Sequence, residues 1–180
     1  MWELTNPKPV KLIIGILAAD QTALAAAIES INNHIGPIDL ASDVWPFTQT
    51  DYYKNETGPN ILRQFVAIDS LLDPGNLADI KHATNLIEQR LACSLKSPHP
   101  RPVNLDPGII EPSKLVLATT KNYSHRVYIG NKMFAEVTLI YEKGNWRHFD
   151  YTYPDYRDPR YHDFFTKVRT RLLEQLKTCH

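Results

Sequence analysis

Glycine is scarce in this chain. There are seven in 180 residues, against 13 prolines, the reverse of average usage. They are spread out, with no two closer than 14 residues. A Rossmann G-x-G-x-x-G, a P-loop G-x-x-x-x-G-K-[ST] and a nucleophile elbow G-x-S-x-G each need two or more glycines close together. None of these can be written here. Cysteine is scarcer still. Cys93 and Cys179 lie far apart and make neither a zinc site nor a disulfide framework, which fits reduced thiols and a cytoplasmic setting. Charge of one sign is also missing. Twenty basic and twenty acidic residues cancel, so nothing draws the chain as a whole toward nucleic acid or an anionic membrane. No apolar stretch approaches the length of a membrane span. Lys8, Lys11 and the run Leu12 to Ala19, followed by Ala23-Leu24-Ala25, resemble a secretory leader. Asp20 breaks that pattern, and the run reads as a buried strand.

What is present is a balanced globular composition, 43% hydrophobic and 22% charged, of a length natural to one domain spanning 1–180. Lys11 to Ala18 is a continuous apolar run of strand length, expected at the centre of a sheet. Asp20 caps a helix with an inner stripe of Ala23, Leu24, Ala27, Ile28 and Ile31, stopped by Gly36-Pro37. Ile38 to Phe47 reads as extended, and Arg63 to Ser70 as a strand. A turn at Asp73-Pro74-Gly75 leads, through Asn76 as cap, into a helix over Leu77 to Cys93. Asp106-Pro107-Gly108 repeats that turn after a short strand from Val103. Ser113 reads as the cap of a short helix reaching Asn122. A hairpin follows across Gly130-Asn131, with a strand near Trp146 to Tyr151. Asp158-Pro159 opens a closing helix over Arg160 to Lys177. The order predicts an α+β fold. Its expected form is a ferredoxin-like (split βαβ) core with a mixed sheet, helices on one face, and a C-terminal β-hairpin and helix extension.

Five segments carry a family resemblance. They are Phe47-Thr48-Gln49-Thr50-Asp51-Tyr52-Tyr53, Val103-Asn104-Leu105-Asp106-Pro107-Gly108, Lys114 through Asn122, His125-Arg126-Val127-Tyr128 and Thr152-Tyr153-Pro154-Asp155-Tyr156. Together they resemble the bacterial domain-of-unknown-function family 4416, over nearly the whole chain. The resemblance implies a single-domain bacterial protein and brings no reaction. Some members carry a GTP-binding label. This chain has no P-loop, and Asn131-Lys132-Met133-Phe134 ends in Phe where a guanine-reading motif has Asp.

The stretch richest in chemistry runs from Asn104 to Thr138. Lys114, Lys121, His125 and Arg126 lie within 13 residues there, interleaved with hydroxyls including Thr120. These groups suit a small anionic or phosphorylated, nucleotide-like ligand. Asp106, His125 and Glu136 are the candidate acid–base groups. Lys114, Thr120, Lys121, Arg126 and Asn104 are the candidate ligand contacts. A second polar loop adds Asp51, Tyr52 and Tyr53, placed to close over a ligand. Asp51, Asp106, Glu136, Asp150 and Asp155 offer oxygen ligands for Mg²⁺ beside a bound phosphate. No spacing suits a zinc cage.

Trp146 to Phe165 holds eight aromatics, but its four aspartates outnumber its three arginines, which argues against a nucleic-acid surface. Two readings stand. One is a binding domain for an anionic ligand, with phosphoryl or nucleotide chemistry if it is an enzyme. The other is a non-catalytic protein-interaction module that uses the aromatic C-terminal surface. Oligomeric state is not readable from the sequence.

Overall fold

The computed structural model describes residues 2–49 and 54–178. In chain order the strands are β1 (Val10–Ala18), β2 (Ile38–Ala41), β3 (Trp45–Pro46), β4 (Leu62–Leu72), β5 (Val103–Ile110), β6 (Lys114–Thr119), β7 (Val127–Gly130), β8 (Met133–Glu142) and β9 (Asn145–His148). The helices are α1 (Gln21–His34), the single turn α2 (Lys54–Thr57), α3 (Leu77–Ser94) and α4 (Pro159–Thr178). Among the described residues all nine strands join one sheet in the order β2-β4-β1-β5-β6-β8-β7. β3 extends the outer edge of β4, and β9 that of β8.

Every residue of β1 is buried, as its apolar run predicts. Its alternate side chains serve two separate cores. Leu12, Ile14, Ile16 and Ala18 pack with Ala23, Leu24, Ala27 and Ile31 of α1 and with Ile87 and Leu91 of α3. Ile13 lies on the opposite face with Phe65, Leu115, Leu117 and Leu139, under Tyr161, Phe164, Phe165, Val168 and Leu172 of α4. Each such fully buried large side chain contributes about 1.5–3 kcal/mol of transfer free energy. Asp20 caps α1 as expected, its Oδ1 accepting from the Ala23 N–H at 2.8 Å.

The expected ferredoxin-like core with a mixed sheet and helices on one face is not what the chain builds. Among the described residues all eight pairings are antiparallel, and the strands C-terminal to β5 continue the same sheet instead of forming an appendage. α4 covers the face opposite α1 and α3. Three local expectations also change. Ser113 to Asn122 is not a helix, because Lys114–Thr119 pairs with β8 as β6. Asp106-Pro107-Gly108 is not a turn but lies within β5. Asp73-Pro74-Gly75 does turn, yet Gly75 is not among the positive-φ glycines. There Asp73 Oδ1 accepts from the Gly75 N–H at 2.7 Å, and Asn76 makes no side-chain cap bond.

The feature that positions the site is a split in the sheet. β5 pairs with β1 along its whole length, Val103 to Ile110. It pairs with β6 only at Gly108–Leu117, Ile109–Val116 and Ile110–Leu115. Beyond Leu117, β6 follows β8, with Ala118 opposite Ala135 and Thr119 opposite Phe134. Among the described residues, the edge of β5 that faces away from β1 therefore has no neighbouring strand from Val103 to Pro107.

Candidate functional site

An unpaired strand edge inside a protein must satisfy its backbone polar groups some other way. Side chains of α3 do this here. The Lys81 ammonium donates to the Leu105 carbonyl at 2.7 Å, and Glu88 Oε1 accepts from the Leu105 N–H at 2.8 Å. Outward-facing positions recur every second residue, so Pro107 is the next one, and it has no N–H to satisfy. Gly108 lies where the two strands first meet. A Cβ there would come within 2.7 Å of the Val116 carbonyl and 2.6 Å of Leu117 Cδ2.

The opening holds a cavity of about 480 Å³. Basic groups reach it from four different elements: Arg63 from β4, Lys81 from α3, Arg101 ahead of β5 and Lys121 after β6. Asn85, Asn104, Thr119 and Thr120 add neutral polar groups. Phe47, Tyr153 and Tyr156 supply aromatic surface.

Its carboxylates are engaged. Glu136 is buried and accepts from Arg126 Nε at 2.8 Å and lies 3.1 Å from His125 Nε2. Asp155 is ion-paired with Arg63 Nη2. Asp106 Oδ2 accepts from Asn104 Nδ2 at 2.6 Å, and its other oxygen lies 3.8 Å from Lys81. Arg101 joins this network through Glu88 at 2.6 Å and through Asn104.

Burial and pairing shift several of these groups. Burial raises the Glu88 carboxyl above its ordinary range, against the pull of Lys81 and Arg101. Burial also works against the charged form of Arg63, but Asp155 and the neighbouring tyrosines more than offset it, so the guanidinium is held charged. The Tyr156 hydroxyl is pushed far up by burial, despite Arg63 beside it.

Sequence-predicted residues fall into three groups. Asn104, Asp106, Thr120, Lys121 and Glu136 line the cleft together. Arg126 and His125 stand behind Glu136 as its partners. Arg126 Nη2 also donates to the Tyr153 hydroxyl at 2.6 Å, and the His125 ring stacks on Tyr151 at 4.2 Å. Lys114 does not join them. It lies at the far end of β6, ion-paired with Glu111 at 2.8 Å, because the segment is a strand and its first residue is carried away from its last. Asp51, Tyr52 and Tyr53 lie outside the described residues.

Of the oxygens offered for Mg²⁺, Asp106, Glu136 and Asp155 line the cleft, and Asp51 lies outside the described residues. Asp150 is exposed, and among the described residues no group of three or more His, Cys, Asp or Glu is arranged to hold a metal ion. Of the aromatic C-terminal surface, Trp146 and Tyr156 are buried in the α4 core. Tyr151 and Tyr153 are partly exposed, their hydroxyls bonded to the Val137 carbonyl and to Arg126.

Arg63, Lys81, Asn85 and Arg101 were not legible as site residues. One signal was available. Lys81 and Glu88 stand seven residues apart on the inner stripe of α3, with Leu77, Thr84, Ile87 and Leu91. A charged pair on an apolar stripe points to a polar partner inside the fold.

Fold and site together define an antiparallel α+β protein whose polar cleft opens where its sheet divides. The chain belongs to the family described as Domain of unknown function (DUF4416), whose model matches residues 8–172. No curated protein and no solved structure matches it. Among the described residues no helix is long and apolar enough to cross a membrane.

Proposed function

We propose that the cleft between β5 and β6 binds a small anionic or phosphorylated ligand of nucleotide-like size. The observation that carries this reading is the convergence of Arg63, Lys81, Arg101 and Lys121 on one cavity of about 480 Å³, a volume within the range of small-molecule sites. Basic side chains from four separated stretches of sequence repel one another unless carboxylates or a ligand compensate. Carboxylates hold three of them in place, Asp155 on Arg63, Asp106 and Glu88 on Lys81, and Glu88 on Arg101. Each of these cations carries more than one N–H, so a ligand with several acceptor oxygens suits the cleft they line. No reaction is assigned.

The burial of Trp146 and Tyr156 weighs against the alternative, a protein-docking surface built from the C-terminal aromatics, since such a surface needs a contiguous exposed patch. The test is a thermal-shift and calorimetric screen with nucleoside mono- and diphosphates, sugar phosphates and inorganic pyrophosphate. A binder raises the melting temperature by mass action. Lys121 is exposed, so Lys121→Ala leaves the fold intact and weakens binding by about tenfold or more, as expected for losing a bond to a charged group. A screen in which no compound shifts the wild-type protein overturns the reading.

A further inference from the structure

The floor of the cleft contains donors that the protein does not use. Arg63 is 2% exposed, and its Nη2 is bonded to Asp155. Among the described residues its Nε and Nη1 have no hydrogen-bond partner, nor does the hydroxyl of Tyr156. Arg63 and Tyr156 both line the cleft. They meet over β1 at Gly15, where a Cβ would sit 3.0 Å from Arg63 Nη1 and 3.1 Å from the Tyr156 hydroxyl. Around them is a cage of rings. The Arg63 guanidinium carbon lies 5.0 Å from the Phe65 centroid, 5.1 Å from Phe47, 5.8 Å from Tyr156 and 6.0 Å from Tyr161.

Leaving so many buried donors unsatisfied costs free energy for each one, and native proteins rarely do so without a reason. Nε carries one hydrogen, Nη1 two and the tyrosine hydroxyl one. The guanidinium only donates, and the tyrosine hydroxyl can turn its proton toward the same point, so the seat favours an oxygen that has lone pairs and no proton. The rings lower the local dielectric, which strengthens each bond formed there. The gap beside Gly15 is what brings guanidinium and phenol together. A methyl at that position would press on both and on Phe65 Cε1, 3.0 Å away.

We infer that Arg63 and Tyr156 form the oxyanion seat of the cleft and take a terminal phosphoryl or carboxylate oxygen of the ligand. This rests on the ligand-binding reading above and adds to it the group that anchors the ligand. Lys121 and Lys81, which line the same cavity, are then left for the rest of the molecule.

The test is Tyr156→Phe, which deletes only the hydroxyl. The probes are inorganic pyrophosphate and malonate, which separate a phosphoryl from a carboxylate source. Binding is measured by calorimetry on the full chain, and melting temperature is measured without ligand. Removing an unpartnered buried hydroxyl leaves the melting temperature unchanged or higher. Affinity for whichever probe binds should fall about tenfold or more. Arg63→Lys, which keeps the charge toward Asp155 and loses Nε and Nη1, should weaken the same probe at least as much. Where the wild type binds a probe, Lys121→Ala weakens it and Tyr156→Phe does not, the seat is overturned and the binding reading stands. If the wild type binds neither probe, nor any compound of the wider screen, both fall.

Discussion

The Lys81 ammonium donates to the Leu105 carbonyl at 2.7 Å through a gap in the sheet. With Glu88 on the Leu105 N–H, a helix supplies the two bonds that a neighbouring strand would otherwise make. The cleft exists because α3 performs this substitution, so its strength is open to direct measurement.

Lys81→Met keeps the length and apolar stem of the side chain and removes the ammonium. It orphans the Leu105 carbonyl and takes one counter-charge from Glu88, which lies 4.0 Å away. Breaking one member of a buried charged cluster costs about 3–5 kcal/mol, and Arg101 still holds Glu88, so a loss of about 3 kcal/mol is expected. Urea denaturation checks this. A loss below about 1 kcal/mol would mean that the strand edge is satisfied some other way.

Gly108→Ala drives a methyl into the Val116 carbonyl at the last rung before the split. The expected destabilisation is about 2 kcal/mol or more, as for overpacking against a rigid backbone. Gly144→Ala is the contrasting variant. Nothing lies within 4 Å of its Cβ, but its φ of 85° disfavours any side chain, and about 1 kcal/mol is expected. The reverse order in a denaturation series would contradict the close approach of β5 and β6.

Glu88 gives a pH signature. Its folded pKa lies above the ordinary value of 4.5, so the native state holds this proton more tightly than the unfolded chain. Its contribution to stability is therefore full below about pH 4.5 and is lost as pH rises through the raised value. Glu88→Gln removes the titration and keeps an acceptor for the Leu105 N–H. The stability of wild type relative to this variant should fall from pH 4 toward neutrality. A flat difference across that range would refute the raised pKa.

Tyr161 makes the alkaline counterpart. It is fully buried, and burial pushes its hydroxyl up to about 12, with Arg63 opposing. The protonated form is favoured in the folded state, so stability is retained up to about pH 10 and lost between there and about 12. Tyrosinate absorbance should show a phase that is absent in Tyr161→Phe and that coincides with alkaline unfolding.

Much of the fold was legible. β1 and the three long helices follow from an unbroken apolar run and from 3.6-residue stripes, signals that tertiary packing reinforces. β6 was not legible. Leu115 and Leu117 face α4 while Val116 and Ala118 face α3, so no period-two alternation survives. A strand apolar on both sides reads the same as a buried helix, and Pro112-Ser113 resembles a helix start. Asp106-Pro107-Gly108 misled for a related reason: the proline and glycine that mark turns elsewhere here mark an abandoned strand edge and a tight crossing. Asn104, Asp106, Lys121 and Glu136 were found because they cluster in sequence. Arg63, Lys81 and Arg101 were not, because only the folded sheet brings them together.

Seven glycines, none in a cradle, carry a consequence for where this cleft can vary. A phosphate loop binds with backbone amides, so its preference is fixed once its glycines are fixed. This cleft is addressed by side chains mounted on a rigid divided sheet. Lys81, Arg101 and Arg63 are tied into that frame, whereas the half-buried Asn85 and the exposed Lys121 can be exchanged without moving it. On the binding reading proposed above, single substitutions at Asn85 and Lys121 would retune the ligand while the split between β5 and β6 stays where it is.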